Sequence, residues 1–128
     1  MKGYARWLFG LAAAANLAVA AALSLGQGWF RARLGLDPIV GTNKVLVDLA
    51  AELIAMFGLG YAWIAVDPSQ RALIWLGAIG KAGAVALVLA GALANPHLWR
   101  FFLLVSGDLV FAALFLDFLR RTRSHAWT

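Results

Sequence analysis

Residues 72–93 read ALIWLGAIGKAGAVALVLAGAL, twenty-two positions with one charge, Lys81, near the middle. A helix needs roughly 20 apolar residues to cross a hydrocarbon core, and in lipid its backbone groups must pair within the segment. The stretch is therefore predicted to be a membrane-spanning helix that carries an ammonium at depth. Three more runs of this kind cover residues 4–25, 42–66 and 98–119. Across all 128 residues the chain is 63% hydrophobic and 13% charged, with a mean hydropathy of +0.82. A soluble domain is about 45–50% apolar and about a quarter charged. That excess excludes an ordinary soluble enzyme, a disordered tail and a nucleic-acid module. No period-2 alternation argues for a barrel. The expected architecture is one all-α domain over residues 1–128, an integral membrane four-helix bundle running up-down-up-down.

The connections fit that plan. Residues 27–40 form the longest one, with Gly28, Gly35 and the pair Asp37-Pro38 marking turns. Trp29, Phe30 and Leu34 beside Arg31 and Arg33 make it a short interfacial segment with an apolar side on the membrane. Asp67-Pro68-Ser69-Gln70 and Asn95-Pro96 are tight turns, which make consecutive helices antiparallel neighbours. The first of them is also expected to cap the third span. Trp7, Trp29, Trp63, Trp75 and Trp99 fall near span ends, where aromatic belts sit.

The net charge of +5 comes from basic residues that flank apolar runs, so the expected partner is the lipid bilayer and not nucleic acid. One side holds Lys2, Arg6, Arg71, Arg120, Arg121 and Arg123, the other Arg31, Arg33, Lys44 and Arg100. The bias favours both termini on the cytoplasmic side of an inner membrane. Ala18-Val19-Ala20 resembles a signal cleavage site, but the apolar run continues past it, and a retained helix is expected.

Charged side chains inside spans carry the functional signal. An ionisable group at bilayer depth costs about 2.5–3.5 kcal/mol even on lenient scales, so such residues face inward and pair. Asp48 and Glu52 are four apart and share one face, which Met56 extends. In the last span Arg100, Leu104, Asp108, Phe111 and Phe115 form a stripe. In the first, Asn16 lies in a face of small alanines that permits close helix approach. The expectation is one buried cluster with Asp48, Glu52, Asp108 and Lys81 as catalytic groups and Asn16, Arg100, Met56 and Phe111 as substrate contacts. Like carboxylates at close range do not ionise together cheaply, and a protonated acid beside an ionised one suits acid–base chemistry. The bland alternatives are a salt bridge from Lys81 that sets helix register, an interhelical hydrogen bond for Asn16, and Ser106 bonding back to its own helix. Asp117 is expected to pair with Arg120 or Arg121.

No metal or cofactor is expected. The chain has no cysteine, and His97 and His125 fall on opposite sides with no ligand spacing. Neither glycine fingerprint of a phosphate loop is present. Gly58-Leu-Gly-Tyr61, Asp67-Pro68-Ser-Gln-Arg71 and Gly77-Ala-Ile-Gly80-Lys81 together resemble small uncharacterised bacterial membrane proteins of the DoxX-like group. The resemblance implies a four-helix integral membrane fold and no particular activity.

Three functions remain. The first is a cofactor-independent membrane enzyme or binding protein for a lipophilic small molecule. Its chemistry would be isomerisation, cyclisation or epoxide opening of a terpenoid, polyketide or quinone-like compound. The second is a proton-coupled small-molecule transporter, expected as a homodimer. The third is a structural subunit whose polar cluster holds partner helices. An apolar cavity within one chain favours the first, a polar cavity between copies the second, and a dry salt bridge without a cavity the third.

Overall fold

A computed structural model of the chain describes residues 2–123; His125 lies outside them. The helices are α1 (Lys2–Leu25), α2 (Gln27–Leu34), α3 (Thr42–Val66), α4 (Arg71–Ala94), α5 (Trp99–Val105) and α6 (Gly107–Arg121), with a 3-10 turn over Pro96–Leu98. α1, α3, α4 and the turn-α5-α6 unit are each long and apolar enough to cross a membrane. The chain is therefore a multi-pass membrane protein of the expected all-α, four-helix kind.

Each long helix turns a stripe inward at the helical period. On α1 it runs Ala5, Leu8, Phe9, Ala12, Ala13, Ala20 and Leu23, and on α4 Ile74, Gly77, Ala78, Lys81 and Val85. Lipid tails are as apolar as leucine, so close packing holds these faces together more than water exclusion does. The main core lies at the end of the bundle shared by the start of α1, the end of α3, the start of α4 and the end of α6. There Phe9, Tyr61, Ile64, Ile74, Phe115 and Phe118 are fully enclosed. Phe9 stacks on Phe115 at 4.7 Å and meets Phe118 edge-on at 5.3 Å. The opposite end is thinner: its buried cluster is Leu23, Phe30 and Ala51, with Ala92 of α4 also enclosed. The molecule is thus dense in one half and loosely filled in the other.

The expected interfacial segment is the helix α2. Phe30 points inward against Phe101 of α5 at 6.4 Å, while Trp29, Arg31 and Arg33 stay exposed. Gly35 ends α2 in the left-handed region at φ 68°, and a side chain there would also meet the His97 carbonyl at 3.1 Å. Trp7, Trp29, Trp63, Trp75 and Trp99 are all exposed near helix ends, as an aromatic belt requires.

Two local details differ from the sequence reading. The Asp67 carboxylate does not cap α4. It accepts from the Ser69 backbone N–H at 3.2 Å and from the Ser69 and Gln70 side chains, and so organises the turn itself. The Ser69 and Gln70 side-chain bonds hold its pKa below the ordinary carboxylate value, so the turn keeps this support at pH above that ordinary value and loses it as the pH falls through the lowered one. The last span is not continuous but steps at Ser106. The Ser106 hydroxyl donates back to the Leu103 carbonyl at 2.6 Å, and the Leu109 N–H reaches the Ser106 carbonyl at 3.0 Å, a tighter spacing than α-helix. A Ser-Gly pair is a usual place for such a bend. Past it, Arg71 closes the far end of α6, donating to the Leu119 carbonyl at 3.0 Å and the Thr122 hydroxyl at 2.9 Å. A guanidinium there satisfies carbonyls that the helix end leaves open.

Candidate functional site

Lys81 sits on the inward stripe of α4, about 15 Å from its start at 1.5 Å per residue, close to mid-span. Only 4% of its surface is exposed. Its ammonium donates to Asp108 Oδ1 of α6 at 2.8 Å and to Asn16 Oδ1 of α1 at 3.0 Å. The faces of Tyr61 and Phe111 lie 5.1 and 5.2 Å from Nζ, within cation–π range. Asn16 in turn donates to the Ile54 carbonyl of α3 at 3.1 Å. One buried ammonium therefore ties together side chains from all four spans. The stripes explain why: Asn16 continues Ala12, Ala13 and Ala20 on α1, and Asp108 precedes Phe111, Ala112 and Phe115 on α6.

Beside this network lies a cavity of about 190 Å³, lined mostly by carbon. Asn16, Tyr61, Lys81 and Asp108 form its polar wall, and Leu53, Ile54, Phe57, Gly80 and Ala84 the rest. It lies where the dense half of the bundle gives way to the loose half. Its mouth opens sideways between α3 and α4, where Leu53 and Gly80 are exposed. Asp108 is the exposed member of the ion pair, at 34% against 4% for Lys81.

Of the expected single cluster, the structure brings together Lys81, Asp108, Asn16 and Phe111. Asp48, Glu52, Arg100 and Met56 stand elsewhere. Asp48 lies nearer the start of α3, where Lys44 donates to Oδ2 and Gln27 of α2 to Oδ1, both at 2.7 Å. Glu52 is exposed, two residues from Ile54 and so about 200° round the helix from the network. It lines, with Asp48, a separate open cleft of about 460 Å³ between α1 and α3. Met56 shares that outer side and is 56% exposed. Arg100 is exposed on the first turn of α5, about 12 Å from Asp108 along the chain axis and beyond the Ser106 step. The crowding of like carboxylates expected around Lys81 is therefore absent: each pairs locally or faces outward.

Smaller expectations come out as follows. Asn16 makes interhelical hydrogen bonds at both ends of its amide, and Ser106 bonds within its own helix. Asp117 pairs with Arg120 at 3.0 Å and Arg121 at 2.7 Å. Lys44 pairs with Asp48 one turn along the same helix at 2.7 Å. Tyr61 is the member of the site that the sequence reading did not select. Its signal is a hydroxyl-bearing ring inside the last third of α3, in register with Ile54 and Gly58. No protein-family model, curated protein or solved structure matches the chain, so fold and site geometry carry the functional argument. They define a multi-pass membrane protein in which a buried lysine pairs with a part-exposed aspartate at the wall of a side-opening cavity.

Proposed function

We propose that this protein takes a lipophilic small molecule from the bilayer into the cavity beside Lys81 and moves a proton on it with Asp108. Supporting this is the position of the cavity: within one chain, mainly apolar, open sideways at mid-span, with the half-exposed carboxylate at its wall. Lys81 orients Asp108 through the 2.8 Å ion pair; Asn16 and Tyr61 fix Lys81. One carboxylate that takes and returns a proton suits isomerisation. Cyclisation and epoxide opening need a second acid or nucleophile, and Asp48 and Glu52 are outside this cavity. No second copy is needed to complete the site, which separates this function from a carrier built between protomers.

The test is mass spectrometry of organic extracts from the purified protein. A stoichiometric lipophile, distinct from bulk phospholipid, is expected with the native chain and not when Gly80→Leu fills the cavity. Bulk lipid alone in both samples would count against a ligand.

A structural role has one observation in its favour, the linking of all four spans through Lys81. On that reading the pair sets register and the cavity is incidental.

The membrane is proposed to be a bacterial inner membrane with both termini cytoplasmic. Reporter fusions after Thr128 and within residues 27–40 should then give opposite signals, the former cytoplasmic. A periplasmic signal after Thr128 reverses the orientation.

A further inference from the structure

We propose that the group presented to Asp108 in this cavity is a neutral hydroxyl, so that the ligand is a lipophilic alcohol or phenol; this rests on the cavity being a ligand site. The polar inventory of the wall leads there. The Asn16 amide is engaged at both ends, by the Ile54 carbonyl and by Lys81. The Lys81 ammonium is engaged by Asn16, Asp108 and two ring faces, and is enclosed. Asp108 gives Oδ1 to Lys81, and among the described residues no donor reaches Oδ2. The Tyr61 hydroxyl, on the same wall and with no hydrogen bond among the described residues, can donate or accept. The group that selects the ligand is therefore Asp108 Oδ2, an acceptor, and a ligand that satisfies it must bring a donor.

Charge narrows the donor. Lys81 and Asp108 cancel one another at 2.8 Å. A carboxylate ligand would face Asp108 with like charge, and an ammonium would leave a net positive charge among Leu53, Ile54 and Phe57. Unpaired charge in such surroundings is strongly disfavoured. A hydroxyl supplies the hydrogen bond without changing the balance. Size sets the rest. An engineered apolar cavity of about 150 Å³ accepts benzene, so the 190 Å³ here holds one six-membered ring with a short substituent. A longer molecule continues through the gap between α3 and α4, at Gly80 and Leu53.

Four probes of nearly equal size separate the possibilities: benzyl alcohol, toluene, benzylammonium and benzoate. Each is titrated against the full chain in lipid nanodiscs, with empty nanodiscs as the partition baseline. A hydrogen bond to a charged group predicts benzyl alcohol about ten- to a hundredfold tighter than toluene, and tighter than both ions. That binding should vanish in Gly80→Leu. A Cβ at Gly80 meets nothing closer than Phe57 at 3.8 Å, so the larger side chain enters the cavity without a clash at its base. Ala84→Leu fills the cavity from the next turn if the first variant fails to fold. Toluene binding as well as benzyl alcohol, with both lost on filling, overturns the hydroxyl and leaves an apolar ligand site. Tighter binding of either ion overturns it in favour of a charged ligand. No probe above the empty-nanodisc baseline overturns the ligand site itself, and the hydroxyl with it.

Discussion

Asp108→Asn lowers both stability and proton transfer, and the two losses separate when Lys81 is changed as well. Removing one partner of a buried ion pair typically costs about 3–5 kcal/mol, because the other charge is left uncompensated. Here Lys81 keeps the Asn16 oxygen, the new amide oxygen and two ring faces, and Asp108 is already 34% exposed. The expected loss is therefore at the low end, about 3 kcal/mol. In the double variant Asp108→Asn with Lys81→Met, a side chain of similar length carries no charge. Its stability should return to within about 1 kcal/mol of the starting protein, since apolar replacement of a buried pair is often neutral. Turnover of the lipophile recovered from the native protein should fall by a factor of roughly 10²–10⁴ in the single variant and stay low in the double. Thermal unfolding and turnover on the same samples make the comparison. Full turnover in the restored double variant removes Asp108 from the chemistry and leaves the pair as a register lock. An equally unstable double variant shows that the ammonium contributes to packing in its own right.

Lys81 and Asp108 could be placed in one cluster from sequence because a charge at mid-span has few tolerable fates; whether Lys81 pairs with Asp108 or Glu52 was not legible. Asn16 followed for the same reason, on a face of alanines that lets another helix come close. What composition could not supply was the rotation of α3. An i, i+4 spacing puts Asp48 and Glu52 on one side, but gives no information on where that side points. Close packing decides it. A Cβ on Gly58 would lie 3.0 Å from Leu17 Cγ and 3.2 Å from Asn16 Cβ, so this position is pressed against α1. With Gly58, Ala51 and Tyr61 turned inward, Glu52 and Met56 are carried to the outside. Arg100 was misplaced for a different reason. A shared stripe says nothing of distance along the axis: eight residues at 1.5 Å each leave Arg100 about 12 Å from Asp108. The four spans themselves were legible because their signal is length and hydropathy, which tertiary packing does not alter. Tyr61 is not legible as a site residue because an aromatic ring near the end of a span reads as packing, which is also part of what it does.

The packing of Tyr61 predicts the other large effect, at Gly77. A Cβ placed there would stand 2.7 Å from Tyr61 Cε1, 3.1 Å from its hydroxyl oxygen and 3.3 Å from Phe115 Cε2. No flexible chain end is available to yield. Tyr61 is 1% exposed, meets Phe115 edge-on at 5.2 Å, and has the Lys81 ammonium 5.1 Å from its ring centre. Overpacking a close-fitted interior costs typically about 1–3 kcal/mol, and a ring held on three sides belongs at the upper end. Gly77→Ala should therefore destabilise by about 3 kcal/mol although alanine is the better helix former. Gly83→Ala, six residues along the same helix with nothing within 4 Å of the new Cβ, is the matched control. It should be neutral or stabilising by about 0.5–1 kcal/mol. Because the ring also underlies Lys81, Gly77→Ala should weaken ligand retention as well as stability, whereas Gly83→Ala leaves retention unchanged. Tyr61→Leu frees the space that the new methyl group needs. The double variant should then be more stable than the sum of the two single losses by at least about 1 kcal/mol, as for residues in direct contact. Thermal unfolding of the four proteins in the same detergent reads this coupling. Strict additivity, or a Gly77→Ala protein as stable as Gly83→Ala, would mean that Tyr61 is not clamped between α4 and α6 and that Lys81 is positioned without it.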